Sequence, residues 1–420
     1  MRALVTHAYS SDNKGDATLL SVLLSDLRRA FKNTRITVLT TERIKDGEHF
    51  EQAKLQHSFM YHAFNRFRLK PAKLLYSLFI VTSTLTWAYA LKYFNISLPL
   101  PPSIKKVSEH YKNADLITGV GGGYLRSKPS FVSSVELILL LHPLKIASIL
   151  SRPTVLYTQS LGPFSNKFQK YLAAKMLKQV ELIIVREDIS VELLRQMGVS
   201  RNVVRSADSA FAFQGNNPVN WRSKLNLPEN QQVVGITVRS WLNSSKQTEY
   251  EKSIAALADY LAKKGYGVVF IPQVTCKHEN DDDREVATRV NGYMQHKNEA
   301  VFITEKIDHH EIQSLYGELD YLVGTRFHSV IFALKSYVPA LAIEYEHKTS
   351  GIMRDLGLEK WVIDINDILP SKLIEGMDLL VNSRGRYTKR LKKVIPPYVK
   401  QAQSTYRYLQ EVIRNRTGAR

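Results

Sequence analysis

Arg2-Ala-Leu-Val-Thr-His7, Ser10-Ser-Asp-Asn-Lys-Gly-Asp16, the stretch Ala17 to Phe31, and Arg35-Ile-Thr-Val-Leu39 follow one another at the start of the chain. The first run reads as a short strand. The second is a polar, turn-rich loop containing a glycine. In the third, Leu19, Leu20, Leu23, Leu24 and Leu27 gather on one face at helical spacing. Arg35 to Leu39 is the next strand. Strand, loop, helix and strand in this order open a parallel, doubly wound α/β sheet.

The same grammar runs outward. Asp115 to Gly119, Val155 to Gln159 and Leu182 to Val185 read as strands, with helices over Lys167 to Lys178 and Asp188 to Met197. A polar turn cluster, Gly215-Asn-Asn-Pro218, breaks the pattern, which then restarts. Val233 to Val238, Gly267 to Ile271, Ala300 to Thr304, Tyr321 to Val323 and Val338 to Ile343 are strands, and Tyr250 to Lys264 and Ile307 to Leu319 are helices. The expected division is a first domain over 1–215 with a helical insertion at about 50–105, a second over 216–390, and a basic helical tail over 391–420.

A chain of 420 residues suits two such domains. Hydrophobic residues at 44% and charged residues at 23% exclude disordered and disulfide-scaffold classes. The 58 basic and 39 acidic residues leave a net charge of +19, which calls for an anionic partner: nucleic acid, an anionic membrane face or a phosphorylated small substrate. No aromatic-basic RNA-binding motif or zinc finger accompanies the charge, so nucleic acid is not expected. The lone Cys276 suits a reducing compartment and builds no Cys-type metal site. The first residues lack the apolar core and cleavage site of a secretory signal, and a cytoplasmic location is expected.

Leu74 to Leu91 carries no charge and follows Arg66, Arg68, Lys70 and Lys73. Its length only just reaches that of a membrane span. A helix covering the core or a crevice is the first reading. A helix docked on an anionic membrane surface is the second, and a true span the third.

Several motifs sit where strands end. Asn13, Gly15 and Asp16 follow the first strand, where open α/β sheets bind ligands, although Asp16 as a helix cap explains the pattern equally well. Gly121-Gly122-Gly123 follows a strand and permits close backbone approach to a ligand, or marks a tight turn only. Arg239 ends one strand, and Gly324-Thr-Arg326-Phe-His328 follows another. Two fixed guanidinium groups suit a small polyanion, and a neighbouring imidazole suits proton transfer. Salt bridges and a core histidine are the bland alternative. Asp281-Asp-Asp283, after His278 and Glu279, reads as a charge cluster at a helix N-terminus rather than a metal site. His309 and His310 read as exposed, and no metal is expected.

Taken in order, Asn13-Lys-Gly-Asp16, Gly121-Gly-Gly123, Gln159-Ser-Leu-Gly-Pro163, Val185-Arg-Glu-Asp188, Ala207-Asp-Ser-Ala-Phe211, Val238-Arg239, Ile271-Pro-Gln273, Gly324-Thr-Arg-Phe-His328 and Tyr345-Glu-His-Lys348 resemble the polysaccharide pyruvyl transferases. The resemblance spans about Met1 to Asp364 and leaves the region from about Glu42 to Pro102 and the tail unmatched. It implies a GT-B-like fold, two Rossmann-like domains facing across a cleft. It also implies transfer of a pyruvyl group from phosphoenolpyruvate to two sugar hydroxyls, with a cyclic ketal and phosphate as products and no cofactor. On that reading Arg239, Arg326, His328 and Lys348 bind the donor, and His328 and Arg326 are catalytic. Asn13, Asp16, Gly121, Gly122, Gly123 and Gln159 face a sugar or lipid-linked glycan acceptor. The enzyme would work in the cytoplasm, or at the inner face of the plasma membrane. A glycosyltransferase of the same architecture using a nucleotide-sugar donor is the alternative, with Glu344 or Glu346 on the ribose.

Overall fold

The computed structural model describes residues 1–9, 11–42, 44, 50, 53–67, 69–276 and 281–417. Ser10, Arg68, His278 and Glu279, which entered the sequence reading, lie outside them. The chain forms two compact units. Unit 1 comprises Met1–Ser10, Leu19–Ser209 and Gln401–Arg420; unit 2 comprises Ser11–Thr18 and Ala210–Lys400.

Unit 1 contributes β1 (Arg2–Ala8), β2 (Arg35–Thr40), β3 (Lys54–His57), β4 (Leu116–Gly119), β5 (Thr154–Gln159), β6 (Leu182–Val185) and β7 (Val203–Arg205). Among the described residues they form one sheet in the order β3-β2-β1-β4-β5-β6-β7, parallel at every pair. The order reverses between β1 and β4. The central strands are covered on both faces: Val5, Ile117, Val155, Leu156, Ile183 and Ile184 are all inaccessible to solvent. That double burial makes them legible as apolar runs.

The helix Lys70–Phe94 covers part of this core. Ser77, Ile80, Thr84, Trp87 and Ala88 are its buried residues. Ile80 joins a cluster with Leu4, Phe59, Ile104, Tyr111 and Ile146, and Thr84 Oγ1 lies 2.8 Å from His142 Nε2 on the helix Phe131–Ile149. The insertion is therefore part of the first unit's fold.

Three of the sequence motifs converge in one buried polar network of unit 1. Arg186 Nη1 donates to Asp208 Oδ2 at 2.7 Å and Arg186 Nε to Ser160 Oγ at 2.7 Å. Ser160 Oγ donates to Glu187 Oε2 at 2.9 Å, and Ser190 Oγ donates to Glu187 Oε1. Ser190 Oγ also accepts from the Leu161 amide at 2.9 Å. Ser160, Arg186, Glu187 and Asp208 are each at most 3% exposed. These residues fasten the ends of β5, β6 and β7 to one another.

Unit 2 contributes β8 (Val233–Thr237), β9 (Gly267–Phe270), β10 (Thr275–Cys276), β11 (Asp281–Asp282), β12 (Ala300–Phe302), β13 (Tyr321–Gly324), β14 (Ala340–Glu344) and β15 (Val362–Asp364). Its main sheet has the order β12-β9-β8-β13-β14-β15, again parallel throughout. Here the order reverses between β8 and β13. β10 and β11 pair antiparallel outside that sheet.

The units differ from the expected 1–215, 216–390 and 391–420. The loop Ser11–Thr18 belongs to unit 2, because its backbone bonds there. Lys14 N donates to Gln273 O at 3.1 Å, Thr275 N donates to Asp12 O at 3.0 Å, and Asn13 bridges Val274. The tail is divided. Its last part, from Gln401, is held in unit 1 by Ser206 and Thr405, whose hydroxyls lie 3.0 Å apart, and by the Arg29 guanidinium 4.2 Å above the Tyr406 ring.

Arg186→Ala leaves Asp208 and Glu187 buried without their cation, and should cost about 3–5 kcal/mol of stability. Thermal and denaturant unfolding measure this, and a variant as stable as the parent would show that the network does not hold unit 1 together.

Candidate active site

The residues singled out in the second half meet within unit 2, at the carboxyl ends of β8, β9, β13 and β14. That is where an open α/β sheet with its order reversal between β8 and β13 offers a ligand crevice. Arg326 is the N-cap residue of the helix Phe327–Lys335, which follows β13. Its guanidinium lies between two carboxylates. Nε donates to Asp283 Oδ1 at 2.9 Å, Nη1 donates to Asp281 Oδ2 at 3.2 Å, and Nη2 reaches Asp281 and Asp283 together. Asp283, 1% exposed, also accepts from the backbone N–H groups of Gln273 and Val274, each at 2.9 Å. The helix-terminus reading of the aspartate run holds for Asp282, which caps the helix Asp283–Tyr293 through Arg284 N. Asp281 and Asp283, on either side of Asp282, both turn to Arg326.

Arg239 is held differently. Its guanidinium carbon lies 4.6 Å from the Trp241 ring centroid and 4.0 Å from that of Tyr345. Its nearest carboxylate oxygen, on Asp281, is 3.9 Å from Nη2. Nε is buried with no hydrogen-bond partner among the described residues. Stacking of this kind fixes the guanidinium plane while leaving its N–H edge for an anion. Lys348 opens the helix Lys348–Asp355 after β14. Its Nζ is 2.9 Å from Glu346 and 5.4 Å from the Tyr345 centroid.

His328 lies in the first turn of the helix after Arg326, and its ring is pressed against Gly15. A Cβ on Gly15 would come 1.9 Å from His328 Nδ1. The glycine of the first loop is thus required by the imidazole. Asn13 and Asp16, beside it, bond to each other: Asn13 Nδ2 donates to Asp16 Oδ2 at 2.8 Å, and Asn13 Oδ1 accepts from the Gly15 and Asp16 amides at 3.0 and 3.3 Å. The cap is Asn13 rather than Asp16, so the helix begins at Lys14. Both residues belong to unit 2, not to the first half as expected.

The charges interact strongly. Burial lowers the pKa of Arg239, against the raising effects of Tyr345 and Asp281. Burial also opposes the charge on Arg326, but Asp283 and Asp281 overcome it and raise that pKa. Burial raises Asp283 despite Arg326. For Asp281 the same burial is outweighed by Arg326 and Arg239, and the pKa falls. Burial would raise Tyr345, yet Lys348, Arg239 and Arg326 bring its hydroxyl down to about 7. Tyr345 and Trp241 escaped the sequence reading. The signal for Tyr345 was its place in Tyr345-Glu-His-Lys348, three residues before the lysine.

The remaining candidates lie in unit 1. Gly121 is pressed onto β5, where a Cβ would meet Thr158 Oγ1 at 2.6 Å. Gly122, at φ +146, bridges Gln159. Gln159 is fully buried, and its Nε2 donates to Val120 O at 2.5 Å and Tyr124 Oη at 3.1 Å. This arrangement staples the turn together. Tyr124 stacks on His7 at 4.5 Å and lies 5.9 Å from Tyr9, an aromatic group at the ends of β1 and β4 that the motifs did not reveal. Burial lowers His7 to about 4. Elsewhere, Glu344 Oε1 accepts from Ser350 N at 3.2 Å and from Ser350 Oγ at 2.5 Å. His309 is 9% exposed and stacks on Phe213, contrary to the expected exposure. Asp308, His309 and His310 stand close enough together to share an ion, but Asp308 already forms a capping box with Glu311.

The polysaccharide pyruvyl transferase model matches residues 13–347 of this sequence. The chain belongs to the polysaccharide pyruvyl transferase family. It is 25% identical over 313 residues to the amylovoran biosynthesis protein AmsJ of Erwinia amylovora, covering 71% of this chain and 73% of that one. Among solved structures it is similar to a Rickettsia africae glycosyltransferase (TM-score 0.59, 12% identity, 99% and 98% of the two chains). It is also similar to the UDP-GlcNAc 2-epimerase of Neisseria meningitidis (TM-score 0.60, 11% identity, 98% and 99%). These likenesses show the fold, two Rossmann-like units of the GT-B-like class. The protein is a pyruvyl transferase with a role in polysaccharide synthesis.

Two outcomes test this geometry. Gly15→Ala forces a methyl group into the space of the His328 ring, and should lower pyruvyl transfer at least about ten-fold by misplacing it; an unaltered rate at unaltered stability would show that His328 has room to move. Tyr345 should show a phenolate absorbance step near pH 7 that is lost in Tyr345→Phe. Since its folded pKa lies below the ordinary 10.0, this group adds stability progressively as pH rises from about 7 to 10 and adds none below.

Proposed function

We propose that the pyruvyl donor is phosphoenolpyruvate, bound at Arg239, and that the product is a cyclic pyruvate ketal across two hydroxyls of a sugar in a glycan precursor. The observation that supports this is the Arg239 guanidinium. It is buried and packed against two adjoining aromatic rings, and among the described residues its nearest carboxylate, on Asp281, stands 3.9 Å away. A densely charged phosphate or carboxylate would supply the missing anion. Arg326, already clamped by Asp281 and Asp283, orients the site and adds its field. Lys348 and the N-terminus of the helix Phe327–Lys335 add positive potential at the same strand ends.

The reaction needs two proton acceptors or donors. A proton added to C3 of phosphoenolpyruvate makes C2 electrophilic. One sugar hydroxyl then bonds to C2 and gives up its proton, and the C2–O–phosphate bond breaks. A second hydroxyl bonds to C2 and gives up its own proton. Of the two protons released, one balances the proton taken up at C3 and the other leaves on inorganic phosphate. His328 is the residue we assign to the C3 proton, and Tyr345, brought near neutrality by its cationic neighbours, is suited to accept from a sugar hydroxyl. No cofactor enters this scheme. The acceptor would be a sugar or a lipid-linked glycan, and the reaction would run in the cytoplasm, where phosphoenolpyruvate is made.

Phosphate release from phosphoenolpyruvate, with and without galactose-, glucose- and mannosamine-type acceptors, tests the proposal. Acceptor-dependent release is expected. Arg239→Ala should raise the KM for the donor by about 10²-fold or more, and His328→Ala should lower kcat by about 10²–10⁴-fold. Phosphoenolpyruvate bound beside Arg239 should also move the Tyr345 ionisation upward, since a second anion then shares the same cations. Release of nucleotide from a nucleotide sugar, with no binding of phosphoenolpyruvate, would overturn the reading.

A further inference from the structure

Among the described residues two helices are long and apolar enough to cross a membrane, Lys70–Phe94 and Phe131–Ile149. The second is mostly buried, with Leu137, Leu141, Leu144 and Ile146 in the core of unit 1. The first is not. At 3.6 residues per turn its buried residues Ser77, Ile80, Thr84, Trp87 and Ala88 fall within an arc of about 100°. Leu75, Leu78, Phe79, Tyr89 and Tyr93 occupy the opposite side, with Leu74 at its edge, and Leu75 and Tyr93 are each 68% exposed. One helix thus has a face sealing a protein core and an apolar face that the described residues leave exposed.

Two further observations say what covers that face. The hydroxyls along the helix bond back to its own carbonyls: Thr82 Oγ1 to Leu78 O at 2.9 Å, Ser83 Oγ to Phe79 O at 2.6 Å, and Thr86 Oγ1 to Thr82 O at 2.8 Å. None of these three needs water, and the Tyr89 and Tyr93 hydroxyls, at the end of the helix, can stay at headgroup level while the apolar side chains enter. The charge neighbouring it along the chain is of one sign. Residues 53–108 contain eight Lys or Arg and no Asp or Glu. Lys70 and Lys73 stand in the first turn and Lys92 in the last. Apolar side chains flanked by cations of one sign match an anionic lipid surface, with acyl chains below and charged headgroups at the rim. A second copy of the same chain would bring like charge against like.

We infer that Lys70–Phe94 is an in-plane membrane-docking helix, inserting its Leu74–Leu78–Tyr89–Tyr93 face into an anionic leaflet while its other face stays packed on unit 1. A true span would have to abandon that packing. The inference does not depend on the donor: a failure with phosphoenolpyruvate would leave vesicle binding untouched, and the reverse.

Flotation of the full chain with phosphatidylcholine vesicles, with and without phosphatidylglycerol, tests it. Binding is expected only with the anionic lipid, and it should weaken with salt. Leu75→Glu with Leu78→Glu should lower it about ten-fold or more while the melting temperature holds, since both side chains are exposed. Lys70→Glu with Lys73→Glu should lower it as well. Alkaline carbonate should release the bound protein. Four results would each overturn the inference: no binding to either vesicle, equal binding by the leucine double variant, retention after carbonate as for a span, or a dimer in light scattering that the double variant dissociates without any vesicle binding.

Discussion

The ion cluster of Arg326, Asp281 and Asp283 fixes the second unit's chemistry. Asp283 is buried, and burial alone would push a proton onto it. Arg326 and two backbone amides keep it in place. Those bonds join the turn after β9, the helix start that follows β11 and the turn after β13. Gln273 O and the Thr275 amide, in the same segment, then anchor the loop Ser11–Thr18. Gly15 is carried up to His328 in this way, although they are far apart in sequence. Removing either aspartate would loosen the imidazole, the loop and the proposed anion site together.

The first unit uses similar motifs for another purpose. Ser160, Arg186, Glu187 and Asp208 bond to one another and are all buried. Gln159 and Thr158 press against the triple glycine. The glycines are needed there because a β5 side chain leaves no room for a Cβ at Gly121. A family motif can thus mark a joint between strands as readily as a reacting group, and burial distinguishes the two.

The doubly wound pattern was legible because parallel strands covered on both faces are continuous apolar runs. Leu182–Val185 is read to the residue. β3, β7 and β15 were not read, since Lys54–His57, Val203–Arg205 and Val362–Asp364 are partly exposed edge strands without such a run. The helix Ser244–Lys263 begins six residues before its expected start at Tyr250, because Asn243 caps a polar first turn that periodicity cannot see. Within the site, Arg239, Arg326, His328 and Lys348 were legible as residues at strand ends. Their division of labour was not. The aspartates that hold Arg326 lie 43 and 45 positions away, and only the fold brings them together.

That division bears on how the two arginines can serve one anion. A guanidinium with two carboxylates on it offers little net charge to a ligand, however well it is placed. Arg239 has been given two rings instead of carboxylates, and of these only Tyr345 offsets its charge, once ionised. Asp281 links the two, bonded to Arg326 and 3.9 Å from Arg239. An arriving anion on Arg239 would repel Asp281 and draw on the charge that Asp281 now occupies. Arg326 would then be left with Asp283, the more deeply buried of the pair. If the proposed anion binds there, Asp281, the less buried of the two carboxylates, is the one placed to yield.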